Sequence, residues 1–166
     1  MSLYINFITF KTTPYYPSTT KPKLMLKILL VDDDSDEFDL FTSAIKSLNS
    51  DADLIYANKC DDLSGIIKNQ KPDIVFMDIN MPGFDGIECL KTLRLEKGIE
   101  SLPIIMYSTS KNQRKIEESY QHKANLYVVK PYSYQGLVKA LEKVLIIDWN
   151  LKPVIPLSNF VIRNIS

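Results

Sequence analysis

Four apolar runs in this chain each end on side chains able to do chemistry. Ile74-Val75-Phe76-Met77 delivers Asp78, and a Pro82-Gly83 turn lies just beyond. Ile28-Leu29-Leu30-Val31 delivers Asp32, Asp33 and Asp34. Ile104-Ile105-Met106-Tyr107 ends on Ser108 and Thr109, and Leu126-Tyr127-Val128-Val129 ends on Lys130 and Pro131. Short apolar runs bounded by turn signals read as buried strands. In an open parallel sheet, functional groups collect beyond the carboxyl ends of the strands. Acid, acid, hydroxyl and base are therefore expected to meet in one site.

The acids have an ordinary explanation, because carboxylates cap helix N-termini and suit the macrodipole there. Capping accounts for one or two of them, Asp34 or Asp36. It does not account for a run that starts at the end of a strand, where like charges repel. A cation relieves that repulsion. An EF-hand calcium loop fits badly, since Glu37 stands where that loop requires glycine. Asp32 and Asp33, joined by Asp78 from another strand, suit Mg²⁺. That ion takes one or two carboxylates and shares the rest of its shell with water and phosphate oxygens. Taken alone, Lys130 reads as a solvated lysine and Ser108 as a loop hydroxyl. A metal, an ammonium and a hydroxyl together are the groups that stabilise phosphoryl oxygens. The set is suited to hold a phosphoryl group on a carboxylate, with Asp78 as nucleophile.

The elements that must position these groups alternate regularly. Strands are expected at 27–31, 53–57, 74–78, 104–107 and 126–129, and helices at about 35–48, 61–69, 86–96, 112–121 and 134–147. Such alternation implies a parallel sheet with helices on both faces. Phe38, Phe41, Ile45 and Leu48 share one face of the first helix, Ile87, Leu90 and Leu93 one face of the third, and Leu137, Leu141, Val144 and Leu145 one face of the fifth. Ser110 stands three residues before Gln113, the spacing of a capping box for the fourth helix. That helix is the most polar, so it is expected to be the least buried and the most available to a partner.

The 166 residues suit one domain, expected at 25–148, with an extension at 1–24 and an apolar tail at 149–166. The tail is too short to bury a core of its own and is expected to pack on the domain or on a second copy. Twenty acids balance twenty bases, which gives no support to nucleic-acid or anionic-membrane binding. No apolar run approaches a membrane span. Residues 3–10 are apolar but lack a basic leader, so they make a poor signal peptide. Cys60 and Cys89 fall in expected helices and read as reduced thiols of a cytoplasmic protein, without assigned chemistry. The single His122 reads as a surface residue rather than a phosphocarrier.

From about Met25 to Asp148 the chain resembles a receiver domain of the two-component response regulators, of the stand-alone, single-domain type. The resemblance lies in Val31-Asp32-Asp33, in Met77-Asp78-Ile79-Asn80-Met81-Pro82-Gly83-Phe84-Asp85-Gly86, in Ser108, and in Tyr127-Val128-Val129-Lys130-Pro131, in the family's order and at similar intervals. It implies an α/β, flavodoxin-like, doubly wound five-stranded parallel sheet of order 2-1-3-4-5. Carried over by position, Asp78 is the phosphoacceptor and Asp33 a direct Mg²⁺ ligand. Asp32 acts on the metal mainly through water, and Asn80 offers it a backbone carbonyl. Ser108 is the switch hydroxyl, Tyr127 the switch aromatic and Lys130 the phosphoryl-binding base, with a cis Lys130–Pro131 bond. On phosphorylation, Ser108 is expected to move toward the phosphoryl group and Tyr127 to turn into the vacated space. Ser108 replaces a commoner Thr. Thr109 replaces an Ala or Gly and is expected to act as an access gate. Ser108-Thr109-Ser110 and Asp148-Trp149 are similar to small regulators, some of them served by phytochrome-type kinases.

The resemblance implies a histidine kinase or phosphotransfer protein as phosphoryl donor, and a downstream protein bound through the fourth helix, fifth strand and fifth helix. A homodimer is a further expected association. The chain would catalyse only its own phosphorylation and dephosphorylation. A haloacid-dehalogenase-type phosphatase also uses a strand-end Asp and Mg²⁺, but it wants a second Asp where this chain has Asn80. A phosphorylation-independent interaction module is the other rival, and the full set of Asp32, Asp33, Asp78, Ser108 and Lys130 stands against it.

Overall fold

The computed structural model describes residues 25–48 and 51–163, so the expected extension at 1–24 lies outside the described residues. The chain runs β1 (Leu26–Val31), α1 (Ser35–Ser47), β2 (Ala52–Ala57), α2 (Leu63–Gln70) and β3 (Ile74–Met77), then a small hairpin of β4 (Asn80–Met81) and β5 (Phe84–Asp85). It continues as α3 (Gly86–Leu95), β6 (Ile104–Ser108), α4 (Gln113–Gln121), β7 (Leu126–Val129) and α5 (Tyr134–Leu145). Two short 3₁₀ turns, Trp149–Leu151 and Leu157–Asn159, lead to β8 (Val161–Ile162). The main sheet has the order β2-β1-β3-β6-β7-β8, and its pairs are parallel. Its first five strands form the expected doubly wound core. The sixth was not foreseen, because two residues are too few to show an alternating pattern.

Strand alternation divides the core into two layers. Ile28, Leu30, Phe76, Ile105, Tyr107 and Val128 face Phe41 and Ile45 of α1 and Leu137 and Val144 of α5. Leu29, Val31, Met77, Met106 and Tyr127 face Ile67 of α2, Leu90 of α3 and Ile116 of α4. Register then sets the site. Val31 is paired with Met77, so Asp32 and Asp78 emerge side by side one residue later. Ser108 is paired with Val129, which places Lys130 just past the hydroxyl.

Helix starts follow local side chains. Asp34 caps α1 by accepting from the Asp36 amide at 2.9 Å. For α4, the expected Ser110 capping box is replaced by Asn112, which accepts from the Arg114 and Lys115 amides. The helix begins at Gln113, so Asn112 holds the cap position that its amide side chain suits. The Ser110 hydroxyl instead accepts from the Asn112 amide at 3.3 Å.

Two other expectations are corrected. Cys60 lies in the loop after β2, not in a helix, and it is disulfide-bonded to Cys89 of α3 with the Cα atoms 6.2 Å apart. The α2 and α3 helices cover the same sheet face, which brings residues distant in sequence together. The Lys130–Pro131 bond is trans, as are the peptide bonds throughout the described residues. From that geometry Pro131 lies against the first turn of α5, where a Cβ on Gly136 would meet its ring at 2.9 Å. Lys130 still reaches its carboxylate partners.

Gly86 fixes the loop that follows Asp78. Its amide donates to the Ile79 carbonyl at 3.0 Å. A Cβ there would overlap the Asp78 carbonyl oxygen and come within 2.8 Å of Ile79 Cα. Gly86→Ala should therefore lower unfolding stability in urea by about 1–3 kcal/mol, the usual cost of overpacking. Stability equal to the parent would show that the loop yields freely.

Candidate functional site

At the carboxyl edge of the sheet, one ammonium is shared between two carboxylates from different strands. Lys130 Nζ donates to Asp32 Oδ2 at 2.6 Å and to Asp78 Oδ2 at 3.2 Å, with Glu37 Oε1 3.9 Å away. Asp32, Asp78 and Lys130 are 1%, 7% and 8% exposed, while Asp33 is open to solvent. The second oxygen of Asp78 accepts from the Ile79 amide at 2.6 Å and the Asn80 amide at 3.2 Å, which fixes the carboxylate's orientation. Asp32 likewise accepts from the Asp34 amide at 3.0 Å.

Burial pushes the Asp32 carboxyl above its ordinary range, and the pull of Lys130 does not fully offset it. Burial also pushes Glu37 up. Burial alone would lower the Lys130 ammonium, but its bond to Asp32 and the charges of Asp78, Asp32 and Glu37 outweigh that and raise it. The cluster holds more carboxylates than cations, which favours protons on all three groups. Oxygen atoms of Asp32, Asp33 and Asp78 lie within 4.8 Å of one another, an all-oxygen donor set able to hold a hard divalent cation. The residues therefore fit a metal.

Ser108 is buried and connects to this centre through Asn80, whose Nδ2 donates to Ser108 Oγ at 3.0 Å. Tyr127 is also buried, and its hydroxyl donates to the Ser110 carbonyl at 2.9 Å. Thr109 is exposed beside Ser108.

Three contributors escaped the sequence reading. Lys115 Nζ, from the first turn of α4, donates to Asn80 Oδ1 at 2.6 Å. Tyr107 lies under the ammonium, with Lys130 Nζ 5.1 Å from its ring centroid. Its hydroxyl donates to Glu37 Oε2 at 3.1 Å, so Glu37 belongs to the site rather than serving only as a mismatch to a calcium loop. Strand alternation could have placed Tyr107 on the α1 face. No signal pairs Lys115 with Asn80 across 35 residues.

A doubly wound sheet with acids, a hydroxyl and a lysine gathered at its switch point defines a phosphoryl-handling class of α/β protein. A profile of the response regulator receiver domain matches residues 28–142. Chemotaxis protein CheY-3 of Vibrio cholerae is 33% identical over 122 residues, covering 72% of this chain and 91% of that protein. A CheY homolog of Campylobacter jejuni is 32% identical over 120 residues, covering 72% of this chain and 92% of that protein. A response regulator in red light signalling of R. palustris superposes with a TM-score of 0.67 at 25% identity, covering 72% of this chain and 91% of the other. The phosphorylated cyanobacterial phytochrome response regulator RcpA shares the fold, with a TM-score of 0.68 at 22% identity over 80% of this chain and 99% of its own. The chain belongs to the response regulator receiver family, and it is a response regulator that accepts phosphoryl groups. Receiver domains interact with histidine kinases or phosphotransfer proteins and with downstream targets. Among the described residues, no helix is long and apolar enough to cross a membrane.

Removing the shared ammonium exposes the imbalance of charge. Lys130→Met should cost about 3–5 kcal/mol near neutral pH, as breaking a buried ion pair does. The raised Lys130 pKa gives stability that is complete below 10.5 and is lost as pH rises through the higher folded value. Asp32 is raised from 3.8, so acidification through its folded value neutralises the carboxylate that needs the ammonium. The gap between parent and variant in urea denaturation should therefore shrink both in acid and in strong base. A gap that widens in acid would contradict the assignment.

Proposed function

We propose that Asp78 is the phosphoacceptor and that phosphorylation requires Mg²⁺. The observation that carries this reading is the Asp78 carboxylate, oriented by two backbone amides and by Lys130, at the centre of the acid cluster. Asp33 and Asp78 would hold the ion directly, Asp32 mainly through water, and Asn80 through its backbone carbonyl. The ion supplies charge neutralisation for phosphoryl oxygens. Asp78 attacks phosphorus in line with the donor's bond. An oxygen–phosphorus bond forms as the phosphohistidine nitrogen–phosphorus bond breaks, and the imidazole leaves and takes up a proton. The Lys130 ammonium binds the incoming phosphoryl oxygens, and the Ser108 hydroxyl turns from Asn80 to donate to them. Dephosphorylation is attack by water on the same phosphorus, which breaks the aspartyl oxygen–phosphorus bond and releases inorganic phosphate, and Asn80 helps to orient the water. The chain has no other substrate in this reading, so it is a signalling protein rather than an enzyme.

The donor is a histidine kinase or phosphotransfer protein of the cytoplasm, the compartment that holds ATP. Thioredoxin and glutathione there keep thiols reduced, so the Cys60–Cys89 bond would depend on redox conditions. Output passes through the surface built on α4, β7 and α5, where β8 covers the edge of β7, to a downstream protein or a second copy. Tyr132, at the start of that surface, is 83% exposed, with Lys111 Nζ 5.3 Å from its ring centroid. The folding unit is 25–148 with the tail packed on it.

Incubation with a small phosphodonor and Mg²⁺ should place an acyl phosphate on Asp78 by mass spectrometry, and Asp78→Asn or chelation should abolish it. Undiminished labelling in either case would overturn the assignment.

Thr109, exposed beside Ser108, should slow the site if its side chain restricts the in-line approach to Asp78. Thr109→Ala should speed both labelling and loss of phosphate roughly tenfold, equivalent to about 1.4 kcal/mol of barrier. Equal or slower rates would show that the gate lies elsewhere.

A further inference from the structure

Without β8, β7 would be an edge strand, with an unpaired row of backbone groups. Instead the Tyr127 amide donates to the Phe160 carbonyl at 2.8 Å, and Tyr127 and Val128 pair with Val161 and Ile162. Phe160 is 0% exposed, as is Tyr127. Its ring centroid lies 5.1 Å from that of Tyr120 on α4, edge-on, and 6.5 Å from that of Tyr127. The C-terminal strand thus brings an aromatic side chain down beside Tyr127, on the sheet face that carries α4.

From Tyr127 a short chain of bonds leads to the site. The Tyr127 hydroxyl holds the Ser110 carbonyl at 2.9 Å. The Ser110 amide donates to Ser108 Oγ at 3.3 Å, and that oxygen also accepts from Asn80 Nδ2 at 3.0 Å. Tyr127 is therefore already buried while Ser108 is engaged with Asn80. Burial of this ring is the position expected of the phosphorylated state. Its bond to the Ser110 carbonyl holds it from one end, and the packed neighbour supplied by the tail, Phe160, lies against the ring.

We propose that Phe160 is a positioning residue for the phosphorylation site, clamping Tyr127 in its buried position from the turn just before the C-terminal strand. The proposal rests on the reading of Asp78 as phosphoacceptor for its functional consequence, though not for the clamp itself. Because two sites coupled through one element affect each other reciprocally, a clamp that favours buried Tyr127 also favours the phosphorylated state, and phosphorylation in turn tightens the tail. Loss of the clamp leaves Tyr127 free to swing outward and loosens the loop that carries Ser108 and Ser110.

The test uses the full chain as Phe160→Ala, Phe160→Tyr and Val144→Ala. Val144 lies in the opposite core layer, so that variant controls for loss of stability alone. Hydrogen exchange of the amides at 108–112 should speed up in Phe160→Ala, return toward the parent rate in Phe160→Tyr, and stay at the parent rate in Val144→Ala. Labelling by a small phosphodonor with Mg²⁺ should fall roughly fivefold or more in Phe160→Ala only, the scale of an ordinary allosteric coupling. Phosphorylation of the parent should slow exchange at 160–162. Unchanged exchange at 108–112 in Phe160→Ala, or equal loosening in Val144→Ala, would overturn the clamp. Faster or unchanged labelling in Phe160→Ala would overturn its favouring of phosphorylation. If the parent takes no label on Asp78, the phosphoacceptor reading fails, while the exchange comparison still decides the role of Phe160.

Discussion

A single buried ammonium shared by two carboxylates is the interaction on which this site depends. Lys130 spans from the end of β7 to the ends of β1 and β3, binding Asp32 and Asp78 at 2.6 and 3.2 Å. It cannot neutralise both, and Asp33 and Glu37 add to the excess. Buried like charge is costly unless it is paired. That residual charge keeps the site in need of positive charge: burial raises Asp32, and the surrounding acids raise Lys130 although burial opposes it. A divalent cation relieves the excess, and a phosphoryl group then finds cationic partners on two sides.

The fold meets this cost through packing beneath the site. The aromatic rings of Phe41, Phe76 and Tyr107 meet edge-on with centroids 4.9, 5.4 and 6.3 Å apart. The Tyr107 ring forms the floor under Lys130, and its hydroxyl anchors Glu37. On the other sheet face, Tyr127, Tyr120 and Phe160 form a second aromatic group. The site is thus bracketed by a rigid layer beneath the ammonium and by an edge layer that includes the tail. A switch needs an element with two discrete packings. The edge layer, built from α4, the end strand β7 of the core and the short tail, is better suited to that than the layer under Lys130.

The core strands and their acids were legible because buried parallel strands read as apolar runs and their carboxyl ends carry the polar residues. Asp32, Asp78, Ser108 and Lys130 were brought to one edge by register, which follows from where each run stops. Contacts made by long side chains between elements were not legible. Lys115 to Asn80 and Lys130 over Tyr107 depend on rotamers that no local pattern encodes. The Cys60–Cys89 pairing depends on the loop leading into α2 lying beside α3 on one sheet face. β8 was missed because the tail's prolines mark a break while its strand pairs only two residues. The Asn112 cap shows the limit of motif spacing, since Ser110 and Gln113 matched a capping box two residues before the true cap.

Excess carboxylate charge at the sheet edge creates the cation site. Thermal unfolding near neutral pH, with and without Mg²⁺, tests it most directly when the parent is compared with Asp33→Asn. Asp33 is exposed and outside the Lys130 ion pair, so its loss leaves the buried contacts in place. The account predicts that Mg²⁺ raises the parent's Tm and that most of this gain disappears in Asp33→Asn. An equal Mg²⁺-dependent rise in both proteins, or none in the parent, would contradict it.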